Sequence, residues 1–159
     1  MAVEIERKFL IADDSWRRDA DQGRRIRQAY LSASASNSIR VRIVDEAHAW
    51  LTIKSGYRGI ARDEFEYEIP LDDAIAMLEL RRSSIVDKMR YRVRNGDLVW
   101  EVDVFAGANA GLVIAEIELD DEAAEPPRPT WLGTEITSES RYQNSMLASD
   151  PYENWGSSQ

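Results

Sequence analysis

A strict alternation of charged and apolar residues along its predicted strands is the feature that most constrains how this chain can fold. In the stretch VEIERKFLI, residues 3–11, the charged side chains of Glu4, Glu6 and Lys8 occupy every second position. Ile5 lies between them on the opposite face, because alternate side chains of a strand point to opposite sides. One face of this strand is therefore fully charged and the other is mainly apolar.

The same period of two recurs along most of the chain and predicts a strand each time. The further segments are 24–31, 38–44, 49–55, 61–69, 85–94, 97–105 and 112–119. The connections between them are mostly short, and Asn95-Gly96 is typical of a hairpin turn, so antiparallel neighbours are expected. Helices are expected at 71–80, from Thr137 to about Ala148, and briefly within 13–23. We therefore predict an α+β fold in which eight strands predominate.

The charged faces of these strands carry equal numbers of cations and anions. The cations are Lys8, Arg40, Arg42, Lys54, Arg62, Lys88, Arg90 and Arg92, and the anions are Glu4, Glu6, Glu64, Glu66, Glu101, Asp103, Glu116 and Glu118. A solvated outer face is one explanation, because antiparallel sheets often have one face in water. The alternative is a closed barrel, which leaves no exposed edges and turns the charged faces inward. The prevalence of arginine, the residue suited to bidentate phosphate contacts, and the sorting of the charges by strand favour the barrel.

A lumen lined by so many charges cannot be dry, because removing each ion from water costs several kcal/mol. It must be wet, internally paired or built for a charged ligand. Cations on one wall would hold a polyanion, and carboxylates on another would hold metal ions. A triphosphate with Mg²⁺ or Mn²⁺ meets both requirements, since Mg²⁺ binds one or two carboxylates together with substrate phosphates.

Composition excludes several other classes of function. The net charge of −9 argues against sequence-independent binding of nucleic acid, which needs a basic surface. The absence of cysteine and the single His48 argue against disulfides and zinc sites. Apolar runs stay short of the ~18–20 residues of a membrane span, and the N-terminus does not read as a signal peptide, so a cytoplasmic protein is expected. We predict one domain over residues 1–150 and a flexible tail over 151–159.

Several short motifs, in order along the chain, carry a family resemblance. They are Glu4-Ile5-Glu6-Arg7-Lys8, Gln28-Ala29-Tyr30-Leu31, Arg40-Val41-Arg42, Thr52-Ile53-Lys54, Arg62 with Glu64 and Glu66, Lys88-Met89-Arg90-Tyr91, Glu101-Val102-Asp103, Glu116-Ile117-Glu118 and the closing segment 131–144. The first resembles the ExExK signature of CYTH domains, the triphosphate tunnel metalloenzymes. The resemblance covers essentially the whole chain. It implies an eight-stranded antiparallel tunnel with a few flanking helices that acts on triphosphate-containing substrates with Mg²⁺ or Mn²⁺.

The resemblance also implies roles for individual residues. Metal would be held by Glu4, Glu6 and Glu116, with Asp103 and Glu118 as further ligands. Phosphates would be held by Lys8, Arg40, Arg42, Lys54, Lys88 and Arg90. Two roles stay open for Arg62 and Arg92. They either line the tunnel and bind phosphate or pair with Glu64, Glu66 or Glu101.

Proton handling has two candidates, with Lys8 as a third residue placed at the catalytic centre. Lys88 is either a proton-transfer group, since surrounding cations lower the pKa of a lysine, or a plain phosphate-binding charge. Tyr30 is either its partner or a packing residue at the tunnel mouth.

The main functional hypothesis is hydrolysis of inorganic triphosphate to pyrophosphate and phosphate. A class IV adenylate cyclase is an alternative, although such cyclases tend to carry a His-Phe pair before ExExK and this chain begins Met1-Ala2-Val3. Two further alternatives are a thiamine or nucleoside triphosphatase and a non-catalytic polyphosphate sensor. The full set of carboxylates argues against the sensor, because acids repel a polyanion unless metal is bound. An apolar outer face leaves room for a homodimer.

Overall fold

A computed structural model describes residues 2–156, and its dominant element is an antiparallel sheet of nine strands. The strands are β1 (Ala2–Ile11), β2 (Arg24–Ala33), β3 (Asn37–Val44), β4 (His48–Ser55), β5 (Ala61–Ile69), β6 (Val86–Asn95), β7 (Leu98–Phe105), β8 (Val113–Glu118) and β9 (Leu132–Glu135). Two short helices accompany them, α1 (Leu71–Leu78) and α2 (Asn144–Ser149). Short 3₁₀ helices occur at Asp14–Asp19, Gly107–Asn109, Ser140–Tyr142 and Tyr152–Asn154.

Eight of the strands close into a barrel. Neighbours follow the order β5-β4-β3-β2-β6-β7-β8-β1, and the pairing of β1 with β5 joins the two ends. The predicted α+β class and the closed eight-stranded antiparallel barrel are therefore confirmed. The hairpin expected at Asn95-Gly96 also forms between β6 and β7, and Gly96 adopts the positive φ of 64° that favours glycine.

The ninth strand was not predicted. β9 pairs with the second half of β1, where Phe9 lies opposite Glu135 and Ile11 opposite Leu132. On the same edge, β5 pairs only with the first half of β1, as far as Ile5. The barrel wall is thus closed by two different strands along one edge of β1, and Glu6 to Lys8 lie between them.

The barrel has an inverted core, because its apolar side chains face outward and are covered from outside. One cluster packs under α1 and includes Val41, Ile43, Ala74 and Leu78. A second gathers Trp16, Trp100 and Trp131 around Phe9. A third joins β6 and β8 to the C-terminal segment and includes Leu147 and Trp155. The outer face that the alternation predicted as apolar is therefore the hydrophobic core.

One prediction at the C-terminal end differs from the structure. The helix expected from Thr137 to about Ala148 is interrupted: a 3₁₀ turn ends at Tyr142, Gln143 is extended, and only α2 is helical. The flexible tail over 151–159 stays a prediction, and within that segment Trp155 packs edge-on against Tyr142 and Tyr152. Residues 157–159 of that expected tail lie outside the described part of the chain.

None of the helices within residues 2–156 combines the length and the apolar character that crossing a bilayer requires.

Candidate active site

The barrel encloses a cavity of about 200 Å³ with strongly polar walls. Its lining residues are Glu4, Glu6, Lys8, Tyr30, Ser38, Arg40, Arg42, Thr52, Lys54, Arg62, Glu64, Glu66, Lys88, Arg90, Glu101, Glu116, Glu118, Gln143, Asn144 and Ser145. All of these residues except Gln143, Asn144 and Ser145 lie on strands. They occupy alternate positions of each strand, because every second side chain faces the inside of the barrel. The sequence-predicted residues are thus brought together, with two exceptions described below.

Glutamates of β1 and β8 form the acidic wall. The two strands are neighbours, with Glu6 opposite Glu118 and Lys8 opposite Glu116. Burial raises the pKa of Glu6 to about 7, and the nearby carboxylate of Glu116 adds to the shift. Burial, with Glu4 and Glu101 nearby, also raises the pKa of Glu118. This crowding of carboxylates favours the binding of a cation.

Lysines occupy the spaces between these carboxylates. The ammonium of Lys8 lies 3.7 Å from an oxygen of Glu6 and 3.7 Å from an oxygen of Glu116. Lys54 donates to Glu4 at 2.7 Å. Burial opposes ionisation of Glu4, but the charge and hydrogen bond of Lys54 together with the charge of Arg62 hold its pKa well below its usual range. Within residues 2–156, no three acidic or histidine side chains converge closely enough to form a preassembled metal cluster.

The donor set nevertheless fits a hard divalent cation. All its donors are carboxylate oxygens, the type that Mg²⁺ and Mn²⁺ prefer. Glu6 and Glu116 are bridged by a cationic group, and no hydrogen bond to a protein donor occupies Glu6 in the described chain. Glu4, Glu6, Glu116 and Glu118 are therefore the residues that could hold metal.

Arginines and lysines of β3, β4 and β6 form the cationic wall. Arg40 donates to the hydroxyl of Thr52 at 3.2 Å and lies 3.7 Å from Glu66, so its charge is only loosely paired. Burial and the neighbouring cations Arg40 and Arg90 lower the pKa of Arg42 to about 9, which leaves it charged at neutral pH. Cations this close repel one another, and an anion placed between them would relieve that repulsion.

Arg62 has a carboxylate partner different from those expected. Its guanidinium donates to Glu4 at 3.1 Å and stacks on the ring of Tyr57, 4.3 Å from its centroid. Tyr57 was not singled out in the sequence, because it lies in the loop between β4 and β5, where no alternation marks it.

Asp103 is one exception to the convergence of predicted residues. It is wholly buried and lies outside the set that lines the cavity. One oxygen accepts from Arg90 at 2.7 Å, and the other accepts from Lys88 at 2.8 Å and again from Arg90 at 2.9 Å. Burial opposes its ionisation, but the charges of Arg90 and Lys88 hold its pKa well below its usual range. Asp103 thus holds two cations in place within the barrel, and its role as a further metal ligand stays a prediction.

Arg92 is the other exception. It is exposed, and the structure places it beyond the residues that line the cavity. Glu101, directly across from it on β7, does line the cavity and lies 3.5 Å from Arg90.

Lys88 and Tyr30 both line the cavity but are not bonded to each other in the described chain. Burial lowers the pKa of Lys88 to about 7, with Asp103 opposing and Arg90 adding to the shift. Its ammonium donates to Asp103 and to Asn144, each at 2.8 Å, which leaves one of its three donors for a ligand. Tyr30 is buried and belongs to the apolar cluster around Leu147.

A second cavity of about 240 Å³ adjoins the first at Glu6, Lys8 and Gln143. It lies where the edge of β1 passes from β5 to β9, and its walls include Tyr57, Ile60, Ile136 and the segment 137–139. The charged lumen therefore has a lateral neighbour with more apolar walls.

Comparison with known proteins places this architecture in context. The family model described as the CYTH domain matches residues 2–150. An "Inorganic triphosphatase" from Acetivibrio thermocellus is 43% identical over 156 residues, covering 98% of this chain and 99% of that relative. An "Inorganic triphosphatase" from Nitrosomonas europaea is 32% identical, covering 92% of this chain and 97% of that relative. The crystal structure of the inorganic triphosphatase NE1496 superposes with a TM-score of 0.65 at 32% identity, covering 93% of this chain and 95% of that one.

Proposed function

This chain belongs to the CYTH domain family, and we propose that it hydrolyses inorganic triphosphate to pyrophosphate and phosphate inside its barrel. The observation that carries the proposal is the division of one enclosed cavity into a cationic and an acidic wall. The two relatives described as inorganic triphosphatases, both similar along nearly their whole length, support the choice of substrate.

The cationic wall would bind the phosphate chain. Its N–H donors belong to Arg40, Arg42, Lys54 and Arg90. Phosphate oxygens accept hydrogen bonds from such donors, and the two N–H groups of a guanidinium match the spacing of two phosphate oxygens. Because the charges are fixed before the substrate arrives, they stabilise charge on the transferred phosphoryl group without reorganising.

The acidic wall would hold Mg²⁺ or Mn²⁺ through Glu4, Glu6, Glu116 and Glu118. When bound, such an ion neutralises phosphate charge and lowers the pKa of attacking water. Lys8 bridges Glu6 and Glu116 in the protein alone. We infer that its ammonium turns to the phosphates when the carboxylates engage metal, so that each charged group exchanges one partner for another.

Lys88 fits the role of a phosphate-binding charge better than that of a free base. Two of its donors are held by Asp103 and Asn144, which fix the direction of the third. A group so constrained positions a phosphoryl oxygen well. Proton transfer by Lys88 or Tyr30 stays a prediction, as do a cytoplasmic location and a homodimer.

A substrate panel tests this function. Inorganic triphosphate, ATP, thiamine triphosphate and pyrophosphate are each supplied with Mg²⁺ or Mn²⁺, and phosphate and cyclic AMP are measured. We expect fast phosphate release from triphosphate, slow release from ATP and none after chelation. Cyclic AMP from ATP would identify a cyclase, and binding of triphosphate without any turnover would favour a sensor.

A further inference from the structure

Four side chains form a continuous line of hydrogen bonds between two phosphate-facing cations. Arg42 donates from Nε to Oε1 of Gln28 at 2.8 Å. Gln28 donates from Nε2 to Oδ1 of Asn144 at 2.9 Å. Lys88 donates from Nζ to the same oxygen of Asn144 at 2.8 Å. The line connects β3, β2 and β6 with the first residue of α2.

The chemistry of the two end groups fixes the orientation of both amides between them. Arg42 can only donate, and so can the ammonium of Lys88 that is paired with Asp103. Gln28 must therefore turn its oxygen to Arg42 and its nitrogen to Asn144. Asn144, which meets donors from Gln28 and Lys88, must present its oxygen to both. A reversed amide at either position would place two N–H donors against each other. Both would then lose their hydrogen bonds inside the protein, which makes the reversed orientation unfavourable.

This orientation leaves the amide nitrogen of Asn144 as an unused donor. Nδ2 has no hydrogen-bond partner among residues 2–156, and Asn144 lines the charged cavity beside Arg42 and Lys88. Gln28, by contrast, is wholly buried and takes no part in the lining. A donor that is rigidly held at the cationic wall is suited to an oxygen that can only accept.

We propose that Asn144 is a substrate-binding residue whose Nδ2 donates to a phosphate oxygen, and that Gln28 is the positioning residue that fixes the orientation of its amide. The inference rests on the proposed triphosphate substrate and adds a neutral donor to the cations already described. It also explains why α2 begins at the cavity: the same oxygen that anchors the helix to β2 and β6 orients the donor.

Asn144→Asp is the decisive variant. An aspartate of the same shape still accepts from Lys88 and Gln28, so the anchoring of α2 is retained. Only the N–H donor is lost, and a charge is gained. We expect an unchanged or higher Tm, together with roughly 10- to 100-fold weaker binding of triphosphate, the range for one hydrogen bond to a charged group. Binding is measured by calorimetry without metal, so that turnover does not enter.

Ser145→Asp controls for the added charge. Ser145 is the next residue of α2 and also lines the cavity, so an aspartate there repels triphosphate without removing the amide of Asn144. We expect Asn144→Asp to weaken binding at least several-fold more than Ser145→Asp. Equal losses would reduce the effect to charge repulsion and overturn the role of Asn144.

Nuclear magnetic resonance separates a binding role from a structural one. The side-chain NH₂ signals of Asn144 are identified by their absence in Asn144→Asp, and they should shift when triphosphate is added to the wild-type chain. Signals that stay in place at saturating triphosphate would overturn the proposal.

Gln28→Glu tests the positioning role by the same readout. A glutamate still accepts from Arg42 but no longer donates to Oδ1 of Asn144, which then keeps Lys88 as its one donor and is held less firmly. We then expect the NH₂ signals to respond more weakly to triphosphate, and a response like that of the wild type would contradict the role of Gln28. A wild-type chain that binds triphosphate with these shifts but never hydrolyses it would refute the proposed activity and leave this inference standing.

Discussion

The ammonium of Lys88 lies 2.8 Å from a carboxylate oxygen of Asp103, and both side chains are wholly excluded from solvent. Such a pair is costly to form, since each ion loses its hydration, and costly to break, since the remaining ion is left without compensation. Arg90 makes Asp103 the shared partner of two cations. Removing the carboxylate of Asp103 would therefore leave two buried cations without this anion, whereas removing Lys88 would leave Asp103 paired with Arg90.

Loss of Asp103 should destabilise the fold more than loss of Lys88. Asp103→Asn leaves Lys88 without an anion, whereas Lys88→Met leaves Asp103 still held by Arg90. We expect Asp103→Asn to lower the free energy of unfolding by about 3 kcal/mol, near the lower bound for breaking a buried pair, and Lys88→Met to lower it by less. Urea unfolding of the two variants measures both, and the reverse order would show that Arg90 does not compensate.

The contribution of Asp103 should depend on pH with a definite sign. Its pKa is lowered in the folded state, so the folded protein binds this proton less readily than the unfolded chain. The stabilisation is then fully present above the unfolded pKa of ~3.9 and is lost as the pH falls toward the folded value. In a Lys88→Met background, which removes the titration of the neighbouring lysine, the change in free energy of unfolding caused by Asp103→Asn should be constant from pH 7 to pH 5 and shrink at pH 3. A difference that grew on acidification would contradict the assignment.

Glu6→Gln should abolish metal-dependent activity while the barrel stays folded. The amide keeps the shape of the side chain but is a poor ligand for a hard cation. We expect turnover of triphosphate to fall by roughly 100-fold or more, as for loss of an essential metal contact, with a matching loss of Mn²⁺ binding measured by calorimetry. Glu68→Gln, the same change on an exposed position of β5, is the control. Normal Mn²⁺ binding by Glu6→Gln would remove Glu6 from the metal-binding set.

Arg40→Ala should raise KM for triphosphate. Its guanidinium is buried and only loosely paired within the protein, so its charge is available to the substrate. Loss of one charge-assisted hydrogen bond corresponds to about 1.5–3 kcal/mol, which is roughly 10- to 100-fold in KM. Arg94→Ala, an exposed arginine on β6, serves as the comparison. Unchanged KM and kcat in Arg40→Ala would assign Arg40 a purely structural role.

Trp155→Ala should destabilise the protein, although the sequence predicts a flexible tail there. The indole is buried against Tyr142 and Tyr152, and Arg141 lies 4.0 Å above its ring. We expect a loss of about 3 kcal/mol in the free energy of unfolding, the lower end for a buried tryptophan, measured by circular dichroism. Glu153→Ala, an exposed neighbour, should stay within about 0.5 kcal/mol of wild type. Equal stability of both variants would show that residues 151–156 do not contribute to the core.

The limits of sequence-based prediction are clearest where a residue's partner lies on a different element. Alternation assigned Asp103 and Glu116 to the same charged class, yet one is held by three N–H donors away from the lumen and the other lines it. Asn144 ends the closing segment 131–144 of the resemblance, but no role was predicted for it, because its partners Gln28 and Lys88 lie 116 and 56 residues away along the chain. β9 was missed because it is four residues long and lacks the charged alternation of the other strands.

The sequence by itself determined that most of this chain forms strands with one charged and one apolar face, because a period of two places every second side chain on the same side. The pattern of charges and the family resemblance then favoured a closed barrel with a charged interior over a sheet with one face in water. Only the tertiary structure decided which charges neutralise one another and which remain for a ligand. That choice depends on strand register and on where α2 meets the barrel, which are set by contacts between residues far apart in the chain and not by any local pattern.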